Sequence, residues 1–336
     1  MTDFKKHQNF ERCPAPTEHI NRTKLIARRF PDVLCLQGVN AWSSALIGFL
    51  CLVQLGIGLA LNQSSVLLIL LVSYLVGTSI SLAIMVLVHD ASHSLVARSK
   101  TGNNLAMLIA NIGIVWPAAF FYKYYHLKHH RFIGQYGLDV DMPTKWESRF
   151  AGTKWWSKLV WLIFFPAFYV IPRMIAEKSF KWQPMMVISI AVQVFVIDRM
   201  RRWGLDHCLL YMAISPLLMM SICPAMGSRG ILEHLVYKKG QETYSYYGPY
   251  NRLTLNNGYH TEHHDFSNIP WNRLPKLHQI AKEFYIDRYI IPSYFHALKT
   301  FVLDPKVSLW NRIERNFEHS EENKNSRCNE DNFKAG

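Results

Sequence analysis

Histidine is the residue type of this chain whose spacing points most directly to chemistry. Of 15 histidines in 336 residues, eight fall in three short stretches: HDASH at 89–93, HLKHH at 126–130 and HTEHH at 260–264. Residues three and four apart on a helix share a face, so each stretch predicts two or three imidazoles on one side of a helix. His234, at the end of GILEH, adds a ninth candidate. Imidazoles held this close together are typical of a metal site.

The number of these imidazoles exceeds what one metal ion needs. It suits two metal ions that prefer octahedral coordination and share a site. All-nitrogen ligation is compatible with iron, copper or zinc. A single HxxxH pair is usually surface decoration, and HDASH lacks the glutamate of the zinc-hydrolase motif HExxH, but the three stretches together favour metal binding. The predicted metal ligands are His89, His93, His126, His129, His130, His234, His260, His263 and His264.

A metal-bound imidazole also needs a hydrogen-bond acceptor for its other ring nitrogen. Six carboxylates lie near enough in sequence to serve: Asp90, Asp139, Asp141, Glu233, Glu262 and Asp265. The remaining histidines belong to no cluster, and ordinary structural or surface roles are the simplest interpretation for them. They are His7, His19, His207, His278, His296 and His319.

The histidine stretches belong to a chain in which long apolar runs lie between charged regions. This pattern indicates a multi-pass membrane protein. Residues 41–61 and 66–88 are each long enough to cross a bilayer as a helix, and the link NQSS between them is short enough to make a helical hairpin. Basic residues flank the hairpin on both sides and are absent from its turn. The positive-inside rule therefore places both flanks, and the histidine stretches, in the cytoplasm.

The number of further spans stays open at this stage. The histidine stretches lie on one side of the membrane only if an even number of segments cross, so one of the later apolar segments must lie in the interface. We expect an all-α, multi-pass fold with about four transmembrane helices and a cytoplasmic histidine-rich cap. The predicted units are an N-terminal segment (1–40), a membrane domain (41–317) and a disordered polar tail (318–336). The uncertain apolar segments are 105–122, which Pro117 interrupts, 159–176, 184–197 and 207–226.

The net charge of +13 first reflects membrane orientation, and no regular alternation of basic and aromatic residues suggests nucleic-acid binding. The chain contains no GxGxxG motif after a predicted strand and no other nucleotide signature. A redox reaction at this site would therefore take its electrons from another protein. The cytoplasmic basic excess either attracts an acidic electron carrier or only sets the topology.

The order and spacing of the three stretches resemble the histidine boxes of membrane fatty-acid desaturases and hydroxylases. Residues 123–144, KYYHLKHHRFIGQYGLDVDMPT, and residues 240–270, GQETYSYYGPYNRLTLNNGYHTEHHDFSNIP, are similar to the sphingolipid delta-4 desaturases. LIARRFPDV, at 25–33, is similar to the N-terminal segment of the same family. The resemblance covers most of the chain, from about residue 20 to about residue 315.

This resemblance implies an O2-dependent desaturase that introduces a delta-4 double bond into dihydroceramide-type lipid. It implies a di-iron centre held by the eight box histidines, and GILEH resembles the extra box of the family, which adds His234. Related acyl-CoA desaturases have an asparagine four residues before their extra histidine, where this chain has Gly230. Asn256, four residues before His260, is the alternative candidate for a tenth ligand.

The resemblance also implies an external electron donor such as cytochrome b5 or a ferredoxin, and a lipid tail held in an apolar channel between the spans. The endoplasmic reticulum is the compartment that the family suggests, and a bacterial inner membrane fits the same physics. A sphingolipid 4-hydroxylase or another membrane lipid desaturase on the same scaffold is the nearest alternative. A membrane zinc hydrolase is a second alternative, and a metal transporter, which would carry its histidines inside the spans, is a third.

Overall fold

The protein is described by a computed structural model that covers residues 9–13, 17–177, 179–223 and 229–315. Within these ranges the chain is almost entirely helical, and its one sheet is a parallel pair of two-residue strands, β1 (Glu11–Arg12) and β2 (Ile313–Glu314). The expectation of a mainly helical protein is confirmed. The helices are α1 (Glu18–Arg29), α2 (Trp42–Ala60), α3 (Val66–Val72), α4 (Thr78–Ser92), α5 (Lys100–Ile114), α6 (Ala118–Phe132), α7 (Lys145–Ala151), α8 (Trp155–Ile163), α9 (Phe165–Ala176), α10 (Pro184–Arg202), α11 (Asp206–Met220), α12 (Arg229–Leu232), α13 (His260–Asp265), α14 (Leu274–Ile280) and α15 (Tyr294–Leu303).

Helices α2, α3 and α4 form the predicted hairpin. A π-helical turn at Ser73–Gly77 joins α3 to α4, so the second arm is one continuous helix over Val66–Ser92. The side-chain oxygen of Ser65 accepts a backbone hydrogen bond at its start, which is a favourable N-cap. Both arms are long and apolar enough to cross a membrane. The second arm continues past its predicted end, and this extension puts His89 on the helix.

The later apolar segments give shorter or more polar helices. The segment predicted at 159–176 breaks at Phe164 into α8 and α9, and Pro166 near the start of α9 is typical of a new helix beginning there. Helix α10 ends in three arginines, and α11 has 15 residues, fewer than the roughly 20 that a straight span needs. Two spanning candidates are thus present in the part of the chain that the structure describes, and the larger number stays a prediction.

Small residues let the helices around the hairpin approach closely. An added Cβ at Gly58 would lie 2.6 Å from the Cys208 sulfur of α11, and one at Gly77 would overlap Ser215 of the same helix. Backbones that meet at small residues are typical of helix packing in membranes. Helix α11 therefore lies directly against both arms of the hairpin.

The N-terminal segment packs against the region of the third histidine stretch. Ile26 and Val33 belong to one buried apolar cluster with Phe266, which follows α13, and Leu277 of α14. Beside this cluster, Arg22 donates two hydrogen bonds to the Asp265 carboxylate, from Nε at 2.7 Å and from Nη2 at 2.8 Å. The segment is thus joined to the histidine-bearing part of the molecule. The predicted disordered tail, 318–336, lies outside the described residues.

Candidate metal centre

Four parts of the chain bring the nine predicted histidines together. His89 is in the last turn of α4, with His93 as its C-cap, while α6 and α13 carry the two HxxHH stretches and His234 follows α12. Gly258 sets the position of α13, since its N–H donates to the Asn251 side chain at 2.9 Å and leaves no space for a Cβ. A short helix is thereby fixed with its imidazoles aimed at those of α4 and α6.

The first group contains five imidazoles and is called the five-histidine group. The Nε2 atom of His263 lies 2.9 Å from the Nε2 atoms of both His89 and His130. The Nε2 atom of His126 lies 2.9 Å from that of His93 and 3.1 Å from that of His130. All five nitrogens lie within 4.8 Å of one another. The five ring nitrogens therefore lie close enough together to ligate one metal ion.

The second group, the four-histidine group, lies beside the first. It contains His129, His234 and His264, whose ring nitrogens lie within 4.8 Å of one another, and His260, whose Nε2 is 2.9 Å from that of His234. The rings of His264 and His130 stack with centroids 4.4 Å apart, which joins the two groups. The nine predicted residues therefore meet in one region as two adjacent sets.

Each HxxHH stretch contributes to both groups. In α6, the first and last histidines face the five-histidine group and His129 faces the other, whereas in α13 His263 alone joins the five-histidine group. Positions i and i+4 of a helix are about 40° apart, whereas position i+3 lies about 60° from i on its other side and about 100° from i+4. The doubled histidine at the end of HxxHH thus lets one helix supply ligands to two neighbouring sites.

The nitrogen spacing in the five-histidine group fits a six-coordinate metal ion. Metal–nitrogen bonds of about 2.0–2.1 Å separate adjacent ligands by about 2.9 Å at right angles and by about 3.3 Å in a tetrahedron. The close pairs in the five-histidine group are 2.9–3.1 Å apart, and five ligands exceed a tetrahedral set. In addition, the buried Nε2 atoms of His129 and His264 have no hydrogen-bond partner among the described residues. A metal ion accounts for both observations.

The protonation states also suit metal binding. Burial, followed by the charge of neighbouring imidazoles, holds the pKa of six of these histidines well below the usual range. Neutral imidazoles offer their lone pairs at neutral pH. The six are His93, His126, His130, His234, His263 and His264.

His129 behaves differently because acidic groups adjoin it. Burial lowers its pKa, but the carboxylates of Asp139 and Asp141 outweigh that effect, and the pKa is raised. Its Nδ1 atom lies 2.8 Å from Asp139, which also accepts the N–H groups of Gly134 and Asp141. Asp139 is therefore the acceptor that orients this imidazole, as predicted.

The other proposed acceptors divide into two sets. Asp90 lies 3.4 Å from His89 Nδ1, and Glu233 lies 3.7 Å from His260 Nδ1, so both are near the imidazoles but do not bond them closely. Glu262 instead accepts from Ser245, Tyr247 and His278. The prediction that Glu262 orients a ligand is wrong, because its side chain lies on the face of α13 opposite the three histidines.

Asp265 also faces away from the metal centre. It bonds Nδ1 of His19 at 2.7 Å and the guanidinium of Arg22, so it anchors α13 to α1 rather than orienting a ligand. His19 belongs to no histidine stretch and retains the structural role predicted for it. The amide of Asn256 donates to the Trp271 carbonyl at 3.2 Å, which gives this candidate for a tenth ligand a different partner.

A cavity of about 230 Å³ opens onto both histidine groups. One part of its wall is apolar and comes from α4 and α11. The other part carries Tyr122, Asp141, Tyr169, Arg173, Glu233 and Asn257. The cavity is thus lined by both apolar and polar side chains beside the imidazoles. The apolar residues from α4 and α11 are Leu82, Met85, Val86, Met219 and Met220, and Phe165 of α9 lines the cavity as well.

Comparison with known proteins agrees with this geometry. The sequence model of the fatty acid desaturase family matches residues 64–295. A sphingolipid delta(4)-desaturase DES1 from Xenopus tropicalis is 34% identical over 323 residues, which cover 94% of this chain and 97% of the relative. The human protein of the same name is 33% identical over 316 residues, which cover 92% of this chain and 95% of that relative. A Caenorhabditis elegans relative whose name pairs delta(4)-desaturase with C4-monooxygenase is 33% identical over 300 residues, covering 88% and 82%. The chain therefore belongs to the fatty acid desaturase family and, within it, to the group of sphingolipid delta(4)-desaturases.

Proposed function

We propose that this protein is an O2-dependent oxidoreductase that introduces a delta-4 double bond into dihydroceramide-type lipid. The observation that carries the proposal is the convergence of two adjacent imidazole groups on one partly apolar cavity. The family to which the chain belongs supports desaturation of a lipid, and the names of its relatives support a sphingolipid.

The nine histidines are the proposed ligands of two iron ions, with the five-histidine group holding one and the four-histidine group the other. Bound iron would supply the reduction of O2 to two waters, with two electrons from the substrate C–H bonds and two from an external donor. Five ligands at right-angle spacing favour iron over the tetrahedral zinc of a hydrolase. The residues on α4 and α6 supply most of the first group, so its shape depends on the hairpin.

The chain itself positions the lipid and excludes water. Methionine and aliphatic side chains of α4 and α11 line the apolar wall, where an alkyl chain displaces water favourably. Asp139 holds the His129 ring in one orientation through Nδ1, which leaves the Nε2 atom for a metal ion. Removal of hydrogen from two neighbouring methylenes gives an alkene, whereas return of oxygen to the first gives an alcohol.

The proposed topology places both flanks of the hairpin in the cytoplasm, with residues 41–317 as the membrane desaturase domain. The basic cytoplasmic excess suits an acidic electron carrier, cytochrome b5 or a ferredoxin. The proposed compartment is the endoplasmic reticulum in a eukaryotic cell and the inner membrane in a bacterium. Reconstitution with each carrier in turn tests the donor, since only the right one sustains turnover.

The test of the function is expression of the full chain in a host without this activity, followed by mass spectrometry of its lipids. We expect a sphingolipid product two hydrogens lighter than dihydroceramide, with the double bond at C4, only in the presence of O2. A product one oxygen heavier would instead identify a 4-hydroxylase. Stoichiometric zinc in the purified protein, with activity that needs neither O2 nor reductant, would overturn the proposal.

A further inference from the structure

The polar side of the cavity contains a carboxylate that is more accessible than its neighbours. The side chain of Asp141 is 28% exposed, whereas that of Asp139, two residues earlier, is fully buried. The Tyr169 hydroxyl donates to Asp141 Oδ1 at 2.7 Å, and both residues line the cavity. The other oxygen of Asp141 lies 3.5 Å from Nδ1 of His129. An oriented acceptor therefore stands at the edge of the four-histidine group.

The side-chain nitrogens of Arg173, a charged neighbour of Asp141, are bonded to groups other than the Asp141 carboxylate. The Arg173 guanidinium donates to both oxygens of Glu147 and to the backbone carbonyls of Val140 and Asp141. This buried pair fixes the loop that carries Asp141, but it does not neutralise the carboxylate directly. A carboxylate has about four acceptor positions, and the Tyr169 hydroxyl uses one of them. Asp141 therefore keeps the capacity to accept hydrogen bonds from a molecule in the cavity.

The chemistry of a delta-4 reaction requires such a group close to the metals. In a dihydroceramide-type lipid the reacting C4 is bonded to C3, which carries a hydroxyl, so that oxygen lies two bonds, or roughly 2.5 Å, from C4. The polar head must then enter the same cavity as the reacting methylenes. A buried hydroxyl needs a partner, and leaving it without one is costly. A carboxylate is a strong acceptor for it.

We infer that Asp141, oriented by Tyr169, accepts a hydrogen bond from the C3 hydroxyl of the lipid and thereby determines which methylene pair faces the histidine groups. This inference rests on the proposed function. The apolar wall formed by α4 and α11 then holds the long-chain-base tail beyond the reacting carbons. Asp141 sets the substrate class, since it selects a lipid with a hydroxyl next to the site of reaction.

The test compares dihydroceramide with an analogue that lacks the C3 hydroxyl, using the full chain and the Asp141→Asn and Tyr169→Phe variants. With dihydroceramide, Asp141→Asn should lower kcat/KM by roughly 10- to 100-fold, as expected when a hydrogen bond to a charged group is lost. With the analogue, the same substitution should change kcat/KM by less than about threefold. Tyr169→Phe should follow the same pattern with a smaller loss, and both variants should retain their iron.

Tyr294→Phe is the matched control, because this hydroxyl donates to Glu233 at 2.8 Å beside the same histidine group. It should affect the two lipids equally. Equal losses on both lipids in Asp141→Asn, or loss of iron from that variant, would show that Asp141 acts only through His129 and would overturn the inference. If the Asp141→Asn protein does not accumulate in cells, the test uses Tyr169→Phe instead. Its loss of kcat/KM on dihydroceramide is then compared with its loss on the analogue. A wild-type chain that desaturates neither lipid would contradict the proposed function instead.

Discussion

The two histidine groups differ in how they are built. The five-histidine group comes mainly from α4 and α6, where four imidazoles at i and i+4 positions project from two helices. The four-histidine group draws on α6, α13 and the segment after α12, and carboxylates surround it. The first is therefore shaped by helix geometry, and the second by hydrogen bonds that orient individual rings. A shift of α4 or α6 should therefore affect the first group, and removal of a carboxylate should affect the second.

Removal of a ligand gives the largest expected effect. We expect His263→Ala, in the five-histidine group, and His129→Ala, in the other, each to lower turnover more than about 100-fold while the protein still inserts into membranes. Each variant should also lose iron from its own group. Iron analysis and lipid mass spectrometry of the purified variants measure both effects. Turnover that survives in either variant would contradict the ligand role of that residue.

Gly258→Ala should disturb both groups at once, because α13 supplies ligands to each. A Cβ at this position would overlap the Asn251 side chain and lie 2.6 Å from the Tyr246 carbonyl oxygen, so α13 must shift. We expect roughly a tenfold or larger loss of activity, with iron lost from both groups in parallel. Gly56→Ala is the matched control, since that position has open space around it. Selective loss of one iron would show that α13 is not a shared support.

Asp139→Asn should separate the two groups. The substitution removes the charge that orients His129, and loss of such a partner typically weakens metal binding by about 10- to 100-fold. The comparison is Asp90→Asn, where we expect less than about a threefold change, because Asp90 is 3.4 Å from His89 and its other oxygen accepts the Trp271 N–H at 3.0 Å. Rates of iron release to a chelator measure both variants. Equal rates would refute the difference between the groups.

The positions of the histidines could be predicted from the sequence, whereas their division into two groups could not. Helical periodicity alone places three imidazoles of HxxHH on one side of a helix. Whether His129 joins His126 or His264 depends on where α13 lies, and that is decided by contacts far apart in sequence, such as Asp265 with Arg22. The hairpin was predictable because its apolar runs are continuous and flanked by charge.

The wrong prediction for Glu262 has a local cause, and so does the question that the sequence leaves open at 159–176. Glu262 was expected to orient an imidazole, yet it sits two residues after His260, on the opposite face of α13. The same periodicity that places the histidines together excludes it. The apolar run at 159–176 gave no strong hydropathy signal for its break at Phe164, and only Pro166 indicates where a new helix begins. Composition alone does not distinguish a span from two short apolar helices.

The contact between Arg22 and Asp265 has a consequence for biogenesis. Arg22 leaves the ribosome early, but its partner and the last imidazoles, His263 and His264, emerge more than two hundred residues later, and β1 must wait for β2 near residue 313. The hairpin can thus enter the bilayer while the binding pockets are still half made. We therefore expect metal loading to be a late maturation event, so that a cell short of the metal should accumulate chains that are inserted in the membrane but lack their metal.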